Sequence, residues 1–356
     1  MVDTAVRLTE QDARAIVELA ALAPSIHNTQ PWRWRLDGTG LHLFADPERL
    51  LQVADHEGRQ LLISCGAALA FARFAVRSRG LVPEVTYGPL EETGPPTARD
   101  PLATITVTGR QPATAAEKDP AQAIAARHTD RRPFLAGERG RLGPDDVSAL
   151  RRAAETEAAW AWFVEDTDSR ITASVLLSRA DWQETHDPAY AEELRRWRRD
   201  SPTAADGLPT EVVGGVAESR QSEFVLRDFD VARGDTSSVA PSRGTPAGGG
   251  AASASASASV EHPVLLAIGT DSDRPVDRLL GGAATGRVLV TATERGLAAS
   301  PLGQVLDLPA LREQLRASFG LAGHVQMLLR VGRPDPDLPP LPATPRRPVD
   351  EILDVA

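Results

Sequence analysis

The sequence holds one lysine, Lys118, among 39 basic residues, and one cysteine, Cys65. A lone cysteine rules out an internal disulfide, and no CxxC pair or mixed Cys/His cluster has zinc-binding spacing. A formal net charge of −10 leaves no general basic face to displace counterions from nucleic-acid phosphates. It still allows a local arginine cluster to hold one small anion. Met1 to Gln11 carries no basic stretch followed by an apolar core, and no apolar run approaches the ~20 residues of a membrane span. These absences predict a cytoplasmic protein with no metal and no nucleic-acid or membrane partner.

What is present fits a folded chain. Its 356 residues are 42% hydrophobic and 25% charged, enough for two modules or one large domain. Thr9 to Asp12 reads as a capped helix start, with Ile16, Leu19, Ala20 and Ala23 on one face. Pro24 ends that helix, and Trp32 to Leu36 and Leu41 to Phe44 form a hairpin about Asp37-Gly38. A long helix is predicted over 59–79, closed by Gly80, and a strand over 103–107. Later helices are predicted over 144–154, 169–180, 188–199, 276–295 and 309–318, and strands over 160–164, 263–269 and 325–331. Alternating Ala/Ser and Gly248-Gly249-Gly250 make 233–260 low in complexity, the core of a flexible insertion over about 200–260. The tail from Pro334 is proline-rich and reads as extended.

The chain repeats itself weakly. Cys65-Gly66-Ala67-Ala68 matches Gly281-Gly282-Ala283-Ala284, and in the same register Arg79-Gly80-Leu81 matches Arg295-Gly296-Leu297. Thr108-Gly109-Arg110 matches Val331-Gly332-Arg333, and Trp32-x-Trp34 matches Trp160-x-Trp162. In common order, these predict two diverged α+β modules, 1–110 and 127–356, with 111–126 as linker. The glycines of 281–286 lie inside a predicted helix, so they read as close helix packing and not as a dinucleotide fingerprint.

Two segments carry chemistry, and each belongs to one copy only. Ser25, Asn28 and Gln30 stand between Pro24 and Pro31, where short polar groups suit either a capped helix-to-strand turn or the edge of a heterocyclic ring. Arg127-His128-Thr129-Asp130-Arg131-Arg132 concentrates guanidinium groups beside a hydroxyl, which suits either a solvated basic turn or a phosphate. Arg346-Arg347 in the tail could complete the latter.

Pro24-Ser25-x-x-Asn28-x-Gln30-Pro31-Trp32 resembles the flavin-binding loop of the nitroreductase family, and Arg127-His128-Thr129-x-Arg131 with Phe134 resembles its flavin-phosphate motif. Ala299 to Gln304, with Pro301 and Gly303, resembles the stretch beside the isoalloxazine, and Arg346-Arg347 the C-terminal phosphate ligands. The family forms homodimers with each flavin between subunits. Here the resemblance implies a nitroreductase-like α+β fold in which two fused modules form an intramolecular pseudo-dimer, similar to the Acg-like subgroup. It implies one FMN per chain, with Pro24, Ser25, Asn28, Gln30, Pro301 and Gly303 at the ring and Arg127, His128, Thr129, Arg131, Arg346 and Arg347 at the phosphate. The implied activity is NAD(P)H-dependent reduction of a small nitroaromatic or quinone-like acceptor by a monomer, with no acid–base catalytic residue. The alternative it leaves open is a non-catalytic protein that stores or sequesters FMN under a lid.

Overall fold

A computed structural model describes residues 7–90, 94–199, 201, 204–209, 261 and 263–356. The low-complexity stretch 233–260, and with it most of the segment expected as an insertion, lies outside the described residues.

The first half begins with α1 (Glu10–Ala20), whose cap is the one the sequence implies: Thr9 Oγ1 accepts Asp12 N at 3.1 Å while the Asp12 carboxylate accepts Thr9 N at 3.2 Å. The hairpin follows as β1 (Trp32–Asp37) and β2 (Gly40–Ala45), with Trp32 and Trp34 in the core. Then come α2 (Arg59–Ser78), β3 (Leu81–Tyr87), β4 (Ala103–Arg110) and α3 (Ala115–Ala126). The linker 111–126 is thus mainly a helix, fixed by a Thr114–Glu117 cap and by Ala123 and Ile124 in the core.

The second half contains α4 (Pro144–Glu155), β5 (Trp160–Val164), α5 (Thr167–Thr185), α6 (Pro188–Trp197) and the short pair β6 (Arg198–Arg199) and β7 (Leu208–Pro209). It continues with β8 (Val264–Thr270), α7 (Pro275–Glu294), β9 (Ala298–Pro301), α8 (Gln304–Asp307), α9 (Pro309–Ser318) and β10 (His324–Gly332). The tail ends in α10 (Val349–Ile352) and β11 (Leu353–Val355). The expected extended tail therefore carries a final strand, which lies parallel to β1.

One sheet runs β11-β1-β2-β4-β3 and the other β5-β8-β10-β9. In the first, β1 and β2 alternate buried with exposed or half-buried residues, so one face meets solvent. In the second, β8 and β10 are buried almost continuously, because α4 and α7 cover one face and α5, α8 and α9 the other.

Between the sheets, α2 and α7 pack backbone to backbone. A Cβ on Gly66 would stand 2.0 Å from Leu279 O, and one on Gly282 would stand 2.1 Å from Ile63 O. The two contacts exchange under the register that pairs Gly66 with Gly282 and Ile63 with Leu279, as at a two-fold axis. By length and composition α2 could cross a membrane, contrary to the expectation that no run comes near a span. It is instead the central core helix: Leu61 to Ala72 are all buried.

Gly66→Ala and Gly282→Ala should each lower unfolding free energy by about 3 kcal/mol or more, since the added atom meets a main-chain carbonyl that cannot rotate away. Gly38→Ala, where nothing lies within 4 Å, should change it by less than ~0.5 kcal/mol. Urea denaturation distinguishes these; equal effects would mean that the helices separate at little cost.

Candidate functional site

A cleft of about 930 Å³, counting the space open to solvent, lies where the N-terminal half of α2 faces β9, α8 and β10. One wall is the face of α2 made by Gln60, Ile63, Ser64 and Ala67, at helical spacing. The loop Pro24 to His27 forms a second wall, and Ser300 to Gly303 with Asp307 a third. Thr129 and Arg131 close the fourth side.

The last pair is placed by strand-like pairing. Thr129 bridges Ala299 in parallel, and Asp130 N donates to Ala299 O at 3.1 Å, so the segment lies along the edge strand β9. Thr129 and Arg131 then point to the cleft while Asp130 points away and binds Arg132 at 2.8 Å. Behind them Arg330 pairs with Glu261 at 2.5 Å, donates to Arg132 O at 2.7 Å and lies 4.1 Å over the Phe134 ring. Both ions are buried, so neither could lose its partner without leaving an uncompensated charge.

Of the expected residues, Pro24, Ser25, Thr129, Arg131, Pro301 and Gly303 line the cleft together. Asn28 and Gln30 do not. Asn28 Nδ2 donates to Gly207 O at 3.1 Å and Pro345 O at 3.2 Å, and Gln30 Nε2 to Ala205 O at 2.9 Å. Gln30 Oε1 accepts Arg347 N at 2.8 Å. Their amides thus tie the loop to the 204–209 segment and to the tail. The loop needs such ties, because His27, Asn28 and Gln30 have φ of 45°, 54° and 49°, conformations that cost ~1–3 kcal/mol each outside glycine. Ser25 Oγ adds one more by accepting Gln30 N at 2.9 Å.

Arg347 is likewise absorbed, buried against Asp46 at 3.4 Å. Gly303 leaves room for a side chain, since a Cβ there would come no nearer than 3.5 Å to Asp307 Oδ2 and 3.8 Å to Gln60 Nε2.

Arg127 and Arg346 are different. Arg127 is buried, and its Nε and Nη1 have no hydrogen-bond partner among the described residues. Its Nη2 reaches only Leu22 O, at 3.5 Å, and Arg346 Nη2 reaches the same carbonyl at 3.3 Å. Neither guanidinium has a carboxylate partner among the described residues. Burial pushes the Arg127 pKa down to about 10, and burial together with the Arg127 charge pushes Arg346 to about 9. His128, exposed beside them, is lowered by partial desolvation and then by both arginine charges. Two like charges held together with no carboxylate opposite them among the described residues are an arrangement that favours an anion.

The residues that the motifs did not point to are Gln60, Ser64 and Asp307. Gln60 Nε2 donates to Asp307 Oδ1 at 2.6 Å, and Ser64 Oγ donates to Gln60 O at 2.7 Å. A usable signal was there: Gln60 and Ser64 are polar one turn apart in the otherwise apolar stretch 60–72 of α2. Behind them Asp55 caps α2 by accepting Gln60 N at 2.9 Å and Leu61 N at 2.8 Å. Burial pushes its carboxyl up to about 7 against those two bonds, and the charge of Asp307 adds to the rise. Among the described residues no His/Cys/Asp/Glu group could hold a metal ion.

Between the ordinary carboxyl value of about 4 and about 7, folded Asp55 keeps a proton that the unfolded chain releases. Its contribution to stability therefore falls as pH rises through that window. The stability of wild type relative to Asp55→Asn should drop by a few kcal/mol between pH ~4 and ~7, on the order of 1.4 kcal/mol for each pH unit crossed. Urea titrations at both ends measure it, and a pH-independent difference would refute the assignment.

No family model matches the chain. It is 32% identical over 362 residues to "Putative NAD(P)H nitroreductase acg" of Mycobacterium tuberculosis, covering 100% of this chain and 98% of that one. It is also 32% identical over 360 residues to "Putative NAD(P)H nitroreductase Rv3131" of the same organism, covering 97% and 91%. A solved nitroreductase with bound FMN from Bacteroides fragilis covers 62% of this chain and 90% of its own, at 13% identity and a TM-score of 0.34, too remote to bear on chemistry here. With 32% identity to Acg sustained along its whole length, the chain belongs to the nitroreductase family, in the Acg-like subgroup.

Proposed function

We propose that this protein is an FMN-binding, NAD(P)H-dependent oxidoreductase that reduces a nitroaromatic or quinone-like acceptor and holds one flavin per chain. The observation that carries the proposal is the Arg127–Arg346 pair. Arg127 Nε and Nη1 and Arg346 Nε lack partners among the described residues, and Arg127 stands two residues from Thr129 in the cleft wall. A phosphate there would accept those donors and offset their mutual repulsion. Bound FMN would supply the two-electron chemistry, taking hydride from the nicotinamide and passing it to the acceptor.

The chain's own part is to bind and orient. Arg127 and Arg346 hold the phosphate, with Arg131 and Thr129 at the mouth between phosphate and ring. Pro24, Ser25, Pro301 and Gly303 bound the ring. Asn28 and Gln30 act indirectly, by holding the strained loop in place, and Arg347 holds Gln30.

Fusion of two modules, 1–110 and 127–356, explains why one site suffices. The strand orders β1-β2-β4-β3 and β5-β8-β10-β9 follow one plan, and the Gly66 and Gly282 contacts are reciprocal. The cleft lies by the first turn of α2 and the residues after β9. At the corresponding place, by Pro275 at the start of α7 and Pro89-Leu90 after β3, lies a smaller hollow of about 400 Å³, counting the space open to solvent. Among the described residues Asp100 is its one charged lining residue. An anion is disfavoured there.

The second reading is a flavin-storing protein. The observation favouring it is that 204–209 is bonded to the cleft loop through Asn28 and Gln30.

Purified protein should be yellow with about one FMN per chain. Arg127→Ala should weaken FMN by about 10- to 100-fold, the worth of a charged hydrogen bond, while leaving riboflavin affinity unchanged. Equal loss of both flavins would place the phosphate elsewhere. Anaerobic NADH or NADPH should bleach the flavin band; FMN-loaded protein that stays oxidised with both would favour storage.

A further inference from the structure

The exposed face of α5 carries an apolar stripe that the described chain does not cover. Ile171, Val175 and Trp182 are 57%, 60% and 59% exposed and share one side of the helix. These are three of the five large hydrophobic side chains exposed among the described residues. Trp182 is held ready by His186, whose ring stacks on it at 4.4 Å and 22° and whose Nδ1 lies 2.8 Å from Trp182 O. An exposed tryptophan fixed in one orientation is the kind of side chain that anchors protein interfaces.

The charges on this face are ordered. Asp168 lies at its N-terminal end, and Arg179 and His186 at its C-terminal end. Neither Asp168 nor Arg179 has an ion-pair partner among the described residues. Val175 lies midway between Asp168 and Trp182 in sequence. Antiparallel packing of two such helices about an axis through Val175 therefore sets Trp182 of each over the Asp168–Ile171 turn of the other. The same arrangement brings each Asp168 carboxylate beside the opposing Arg179 and His186. The stripe is self-complementary in shape and charge, as a two-fold contact requires.

We propose that α5 is a self-association surface, and that two copies of this chain pair through it in antiparallel fashion about Val175. The proposal differs from the monomer expected from the sequence. The face belongs to the outer layer, on the far side of the β5-β8-β10-β9 sheet from α7. A single helix pair is small for a specific interface, so the dimer exchanges with monomer.

The test is sedimentation equilibrium of the full chain from about 10 to 500 µM, the range suited to contacts of less than ~1,200 Å². Wild type should show a concentration-dependent dimer. Val175→Glu, which sets like charges together at the axis, should weaken it by about 100-fold or more with unchanged circular dichroism. Cys65 is fully buried, so Val175→Cys adds the thiol that mild oxidation reads. It should form a disulfide-linked dimer, whereas Glu18→Cys on α1 should not. A wild type that is monomeric throughout, or equal cross-linking of the two cysteine variants, overturns the proposal. Either would mean that another part of the chain covers the stripe or that it stays bare.

Discussion

Helix backbones can touch only where side chains are missing on both sides, and the contact of α2 with α7 depends on that condition. Gly66 and Gly282 each admit a carbonyl of the other helix, that of Leu279 or Ile63. A methyl at either place would push the helices apart and with them both sheets, since each sheet packs on its own helix. The cleft is set by the same contact. Ile63 lies in the cleft wall and also offers its carbonyl to Gly282. The distance from α2 to β9 and β10 is therefore fixed by a backbone contact, not by flexible side chains.

The treatment of buried arginine separates scaffold from site. Arg59 is paired with Asp273 and bonded to Gln326, the bulge residue of β10, at 2.7 Å. Arg330 has Glu261, and Arg347 has Asp46. Each pairing joins segments distant in sequence. Arg127 and Arg346 also come from distant segments, yet among the described residues they meet main-chain carbonyls, that of Leu22 shared, and no acid. Charge left uncompensated in this way costs stability, so it marks a place selected for something other than folding.

Elements with a clear period or cap were legible in the sequence. The α1 cap, the glycines at φ 72° and 66° that follow α2 and α7, the hairpin and β10 all fall where the pattern puts them. Elements held by tertiary contact were not. Strand β3 contains Pro83, tolerable because β3 is an edge strand with a bulge at Val82–Pro83. Helix α3 contains Pro120, and β11 is too short to show alternation. At the candidate site, several of the motif residues gather about one cleft. The motifs could not separate residues facing the cleft from those bracing it, because Asn28, Gln30 and Arg347 differ from Ser25 and Arg127 only in where their partners lie. Asp307 was hidden because it meets Gln60 only through elements far apart in sequence.

Strand β11 pairs Leu353 with Trp34 and Val355 with Leu36. The sheet begun by β1 and β2 is thus finished by a strand from the far end of the chain, and Arg346 arrives beside Arg127 with that same tail. On the ribosome, a growing chain has to hold the edge of β1 open until residue 355 has emerged. Until then the nascent protein has neither its complete first sheet nor its paired arginines. A chain cut short before its tail would therefore lack both the fifth strand of that sheet and the second arginine.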